Sequence, residues 1–184
     1  MYQTMLLYDV NMKIQENKIQ EHTGTSFSIV KVDDISILKF SDECKINNTE
    51  DYATIVLGDC TNCEKIKDLY KDFTYDKVLV LGLGLGLLPE TLKVEKECSV
   101  VDVVDNNQEL IDYVDFIDNS INVIKDDAYT YTPNKKYDLV LIDLWWGHED
   151  ITDEMASNLE NNYKNYLEES GKIIIPILFK SFTP

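Results

Sequence analysis

Residues 77–88 read KVLVLGLGLGLL, and they decide the fold. Val78 to Leu81 form an unbroken apolar run of strand length, and Gly82, Gly84 and Gly86 follow at once. A run without alternation is expected of a strand covered on both faces, as in a parallel sheet flanked by helices. Glycine at every second position permits tight turning and lets a ligand approach the backbone closely. The next segment, LPETLKVEK, reads as a helix whose first N–H groups and positive dipole end would face whatever binds at the loop. Taken alone, GxGxG fits a merely tight turn equally well.

The same rhythm continues toward the carboxyl terminus. CSVVDVVD reads as a strand, NQELIDYVDFI as a helix, and INVIKDDA, YDLVLIDLWW and GKIIIPILF as further strands, with ITDEMASNLENNYKNYLEES helical between the last two. Residues 77–184 are therefore expected to form an α/β domain around a parallel sheet. Residues 1–76 differ. Their apolar residues come in short β-branched runs, SFSIVKV, DISILKF and YATIVLG, separated by polar stretches such as HTGT, which predicts β-hairpins. A short helix is expected after them in EKIKDLYKDF, where Ile66, Leu69, Tyr70 and Phe73 fall at helical spacing.

Composition narrows the function. The chain has 184 residues, the size of one ordinary domain with a small addition. No stretch approaches the roughly 18 to 20 apolar residues of a membrane span, and Met1 opens no signal-like segment, so a soluble cytoplasmic protein is expected. Asp and Glu total 34 against 17 Lys and Arg, a formal charge of -17. That field would repel a phosphate backbone, which argues against nucleic acid, and would attract a cationic small molecule. It also fits a merely solvated acidic surface. Of Cys44, Cys60, Cys63 and Cys98, only Cys60 and Cys63 stand at CxxC spacing, without the further ligands of a structural zinc site, so free thiols are expected and no metal.

Four polar positions fall at the carboxyl ends of the expected strands, where open parallel sheets bind ligands. The first is the glycine loop, in which Leu87 stands where a dinucleotide fingerprint wants its third glycine; this lowers a nicotinamide or flavin reading. The second is Asp105, roughly 20 residues past the loop, where an acid can accept both hydroxyls of a ribose. The third is Asp126-Asp127-Ala128, and the fourth is Asp143, followed by Leu144, Trp145 and Trp146. The two tryptophans could stack on a base or cradle a cationic amine or sulfonium, or one could wedge against the core. His148, Glu149 and Asp150 could supply a base, although a polar loop before a helix would look the same. Asp150 or Thr152 is the candidate N-cap of that helix.

With these residues in place a resemblance can be stated. VLVLGLGLGLLPETL resembles the glycine loop of spermidine synthases, VDVVDNNQELI their VxVVEIDPELI segment, INVIKDDAYTY their VxxxxGDAxxF segment, and YDLVLIDLW their YDVIIVDLS. The similarity runs from about Lys77 to Trp145. It implies the Rossmann-like fold of class I S-adenosylmethionine-dependent methyltransferases, and S-adenosylmethionine or its decarboxylated form as cofactor. Asp105 takes the place of the ribose-binding acid, Asp127 that of the acid beside the adenine amino group, and Asp143 that of the carboxylate that helps deprotonate the amine nucleophile. The implied reaction is aminopropyl or methyl transfer to a small, cationic acceptor, with Trp145, Trp146 and His148 on the acceptor side.

The departures fall on the amine side. Leu85 and Trp146 stand where the family carries acids, Lys45 where it carries Gln, and of its amino-terminal Tyr-His-Glu cluster only Tyr52 has a counterpart. An inactive ligand- or partner-binding protein is therefore the alternative, and an enzyme that degrades S-adenosylmethionine a third. A full methyltransferase domain would continue past the fifth strand with a helix and a hairpin. This chain reaches Pro184 first, so the sheet is expected to be cut short, with edges that a homodimer would cover.

Overall fold

The computed structural model describes residues 18–32, 35–40, 53–55, 73–144, 151–175 and 180–182. Two compact units divide the chain, Met1–Phe73 and Thr74–Pro184. In the first, β1 (His22–Thr23), β2 (Phe27–Val32), β3 (Ile35–Phe40) and β4 (Ala53–Ile55) form an antiparallel sheet in that order. The β1–β2 turn closes where the Gly24 N–H donates to the Phe27 carbonyl at 3.0 Å, and the His22 ring stacks on Phe27 at 4.6 Å. In β2 and β3, Phe27, Ile29 and Leu38 are buried, and pairing of Phe27 with Phe40 and of Val32 with Ile35 fixes the register. The hairpin expected from SFSIVKV and DISILKF is thus present. The helix expected over 64–73 lies outside the described residues except for Phe73, as do Cys44, Lys45, Tyr52, Cys60 and Cys63.

The second unit runs β5 (Lys77–Leu81), α1 (Leu87–Glu90) continuing as a π-helical segment Thr91–Glu95, β6 (Val100–Asp105), α2 (Gln108–Tyr113), β7 (Asn122–Lys125), β8 (Tyr137–Ile142), α3 (Asp153–Tyr163), a 3-10 turn Lys164–Tyr166, β9 (Leu167–Ile175) and β10 (Lys180–Phe182). The sheet order is β10-β9-β8-β5-β6-β7. All neighbours are parallel except β10, which runs antiparallel to β9. The chain leaves β5 toward β6 and β7, then returns to the other side of β5 as β8. The point of reversal between β5 and β8 is where an open α/β sheet forms its binding crevice.

Successive residues of each strand face opposite sides, and both sides are buried. Leu79, Leu81, Val140, Ile142, Ile173 and Ile175 pack with Ala156, Leu159 and Tyr163 of α3, while Val78, Val80, Val101, Val103 and Leu141 fill the other face. Cutting one such leucine back to alanine typically costs about 2 to 5 kcal/mol. Helix α3 begins at Thr152, whose Oγ accepts the Met155 N–H at 3.2 Å, so Thr152 is the N-cap.

One buried acid belongs to this core. Asp102, in the middle of β6, is 2% exposed and accepts hydrogen bonds from the Tyr137 hydroxyl at 2.5 Å, Lys135 Nζ at 2.9 Å and Asn122 Nδ2 at 3.0 Å. Burial pushes its carboxyl up, but the hydrogen bonds from Tyr137, Lys135 and Asn122 outweigh it and hold the group below the ordinary carboxylate value. Cys98 is a buried free thiol, and burial pushes it up to about 11.

The structure differs from the sequence reading in three places. The reading extends α3 through LEES, but the helix ends at Tyr163 and β9 starts at Leu167, because buried Leu167 pairs with Tyr137. Register then slips so that Leu139 meets Lys172, and Gly171 sits in the slip, where a Cβ would stand 2.9 Å from the Tyr137 carbonyl oxygen. The helix expected over NQELIDYVDFI stops at Tyr113, since Val114 leaves helical geometry and is buried together with Ile117. The sheet also does not stop at its fifth parallel strand: β10 folds back on β9, pairing Lys180 with Ile175 and Phe182 with Ile173. Among the described residues no helix is long and apolar enough to cross a membrane.

Candidate functional site

The site grows from the ends of β5, β6, β7 and β8. Gly82, Gly84 and Gly86 have φ of 101°, 53° and 77°, a region that L side chains rarely adopt. At Gly82 the reason is contact: an added Cβ would collide with the Asp143 carbonyl oxygen. The Gly82 N–H donates to the Val104 carbonyl and the Asp143 N–H to the Leu81 carbonyl, both at 2.8 Å, so the ends of three strands are tied together around a bare glycine. At Gly86 a Cβ would collide with Val114 and Ile117, which is how the segment after α2 seats against the loop.

Asp105 ends β6, half-buried. Its Oδ2 accepts the Leu83 N–H of the glycine loop at 2.9 Å and its Oδ1 accepts the Asn107 N–H at 2.8 Å. Burial pushes its pKa up, and the backbone N–H groups of Leu83, Asn107 and Asn106 only partly offset this. The Asn107 side chain in turn caps α2 by accepting the Leu110 N–H at 3.1 Å. With the N–H groups of Leu83, Asn106 and Asn107 accepted, the Asp105 carboxylate retains capacity for a further donor.

The loop after β7 joins the same crevice, because the Asp126 N–H donates to the Asp105 carbonyl at 3.1 Å. Asp127 is exposed and its Oδ1 accepts the Tyr129 N–H at 2.9 Å, while its carbonyl accepts the N–H groups of Thr130 at 2.9 Å and Tyr131 at 2.8 Å. Ala128, beside it, is buried. From behind, the Tyr163 hydroxyl donates to the Ala128 carbonyl at 2.6 Å and Asn162 Nδ2 donates to the Tyr129 carbonyl at 3.0 Å.

Asp143 follows β8. The residue is exposed, and lost hydration at its carboxyl pushes the pKa up to about 6. Leu85, where the resembled family carries an acid, is buried at 2% exposure. Trp145, Trp146 and His148 lie outside the described residues. Gly82, Gly84, Gly86, Asp105, Asp127, Ala128 and Asp143 all stand at the carboxyl edge of the sheet. No group of metal-binding side chains occurs among the described residues.

Asn107, Asn162 and Tyr163 belong to this arrangement and escape the sequence reading. Asn107 carries a usable signal, an N-cap residue directly after a strand-terminal acid. Tyr163 reads only as one more apolar position of a helix.

A parallel sheet that reverses beside its first strand, with a glycine loop after that strand and an acid ending the second, is a Rossmann-like α/β fold. No family model and no curated protein matches the chain. Among solved structures, the plantazolicin methyltransferase BpumL in complex with SAH (S-adenosylhomocysteine) is similar at 22% identity and a TM-score of 0.48, over 61% of this chain and 42% of that one. An S-adenosylmethionine-dependent methyltransferase from Clostridium acetobutylicum ATCC 824 matches at 22% identity and 0.48, over 61% and 47%. The StiE O-MT domain matches at 20% and 0.49, over 61% and 42%. This chain therefore spans less than half the length of each, and the likeness is one of fold.

Proposed function

We propose that this chain binds S-adenosylmethionine or its decarboxylated form and transfers a methyl or aminopropyl group to a small cationic nucleophile, in the manner of spermidine synthases and their methyltransferase-like relatives. The observation that carries the reading is the Asp105 carboxylate, half-buried at the carboxyl end of β6 and tied to the glycine loop by the Leu83 N–H. The residues fit such a ligand. Gly82 and Gly86 keep the loop backbone bare, Asp105 would accept from the ribose hydroxyls, and Asp127 with Ala128 would flank the base.

When bound, the sulfonium supplies an electrophilic carbon next to a positive sulfur. The chain's own residues would do the rest. The glycine loop and Asp105 fix the nucleoside, and positioning of this kind supplies much of the acceleration in a displacement. Asp143, with a pKa near 6, is mostly ionised at pH 7 yet more basic than an ordinary carboxylate, which suits it to take the proton of the attacking amine. A charge of -17 favours a cationic acceptor, for which Trp145, Trp146 and His148 are the proposed contacts.

A second reading is a nucleoside-binding protein without transfer, and buried Leu85 favours it by removing an acid from the loop. The test has two stages. A thermal-shift series with S-adenosylmethionine, its decarboxylated form, methylthioadenosine and NAD should single out the adenosyl sulfur ligands, since a ligand at 100 times its Kd adds about 2.7 kcal/mol. Mass spectrometry after incubation with a diamine should then find the alkylated amine. Binding without product supports the second reading; stabilisation by none of the adenosyl ligands sinks both.

A further inference from the structure

The loop that carries Asp127 is fastened to the carboxyl-terminal end of α3. Tyr163 is fully buried and gives its hydroxyl to the Ala128 carbonyl at 2.6 Å; Asn162, exposed, gives its amide to the Tyr129 carbonyl at 3.0 Å. These two donors bracket the residues directly after Asp127. Within the loop, Asp127 is oriented by the Tyr129 N–H on Oδ1 and by the turn that its own carbonyl forms with Thr130 and Tyr131. The orientation of the Asp127 carboxylate therefore depends on where Tyr129 is held, and Tyr129 is held by α3.

A carboxylate in this position accepts hydrogen bonds and cannot donate them. It attracts a base edge that presents an amino group and repels one that presents a carbonyl oxygen, but only when it is held in reach of that edge. A site whose polar partners are fixed discriminates far better than one whose partners can turn away. Resting on the nucleoside reading above, we infer that Tyr163 and Asn162 are positioning residues that set base selectivity: by clamping the Asp127 loop to α3 they make the site prefer adenine over a purine with a keto group at the same position.

Burial pushes the Tyr163 hydroxyl well up in pKa, with the neighbouring Tyr131, Asp126 and Asp127 adding to the shift, so the hydroxyl stays a neutral donor throughout the working range. Its ring packs with Ala156, Leu159 and Tyr137 in the core. Phenylalanine would keep that packing and delete only the donor.

The test compares S-adenosylhomocysteine with S-inosylhomocysteine by calorimetry on the full chain. Wild type should bind the adenosyl ligand at least about tenfold more tightly. In Tyr163→Phe the preference should shrink by about fivefold, the scale of one neutral hydrogen bond, with adenosyl affinity falling and inosyl affinity nearly constant. A purely structural role for Tyr163 would lower both affinities together or neither. Asn162→Ala, at an exposed position, should shrink the preference in the same direction by a smaller factor, and it alone decides the matter if Tyr163→Phe does not fold. Undiminished preference in the folded variants overturns the inference while leaving the nucleoside reading intact. Failure of wild type to bind either ligand overturns both.

Discussion

Asp102 and Asp105 stand in one strand, VVDVVD, and their surroundings could hardly differ more. Asp102 lies in the core layer and is met by side chains: a phenol, an ammonium and an amide. Asp105 lies at the carboxyl edge and is met by backbone N–H groups. The first carboxyl is held below its ordinary value, the second above it. Asp102, buried and held by three side chains, serves the fold. Asp105, half-buried at the sheet edge and met by backbone N–H groups, is the one proposed to bind ligand.

The contrast breaks most visibly at its closed side. Asp102→Ala should lower the free energy of unfolding by about 3 kcal/mol, the upper scale for leaving the buried Tyr137 hydroxyl without its acceptor, as read by urea denaturation. Ligand affinity of the folded variant should stay the same. A loss below about 1 kcal/mol would place Asp102 with surface pairs, and the contrast would collapse.

Asp143→Asn tests the open side in catalysis. Turnover should fall about 100-fold while cofactor affinity changes only a few-fold, since asparagine keeps the shape and loses the base. The wild-type acid limb, with a midpoint of about 6, should vanish with it. Equal loss of binding and turnover would make Asp143 structural after all.

Asp105→Ala should weaken every adenosyl ligand by a similar factor of about 30, or about 2 kcal/mol, the scale of charge-assisted hydrogen bonds. Its thermal stability should not drop, in contrast to Asp102→Ala. Unequal factors across the ligand series would move the crevice away from the ribose.

The smallest effect is in the pH dependence of unfolding, where the two kinds of acid carry opposite signs. Asp102 has a lowered folded-state pKa, so its contribution is complete above the ordinary value near 4 and drains away as pH falls through the folded value. Asp105 and Asp143 have raised values, so their folded forms gain relative stability as they are protonated. That gain is complete below about pH 4 and is lost as pH rises through the folded values, about 6 for Asp143. Between pH 7 and 5 the Tm should therefore rise slightly, and the rise should be smaller in Asp143→Asn. An equal rise in the variant would assign it to relief of general acidic repulsion.

The sequence makes the open side legible and hides the closed one. KVLVL, VVDVVD and YDLVLI read as strands because continuous apolar runs have one interpretation in an α/β rhythm, and Asp105 is legible from its distance to the glycine loop. Asp102 is not, because in a strand buried on both faces nothing local distinguishes a mid-strand acid, and its partners Asn122, Lys135 and Tyr137 are brought in by other elements. The start of β9 is hidden for the same reason. LEES has the composition of a helix end, and only pairing of Leu167 with Tyr137 makes it strand. The early end of α2 likewise follows from packing of Val114 and Ile117 on Gly86, which no helical periodicity reports.

Gly82 closes against the backbone of Asp143, so the loop proposed to moor the nucleoside and the proposed base share one hard stop. For anyone redesigning the acceptor, this fixes a workbench. Any side chain at 82 would have to displace the peptide that carries Asp143, so randomising that position yields mostly dead clones.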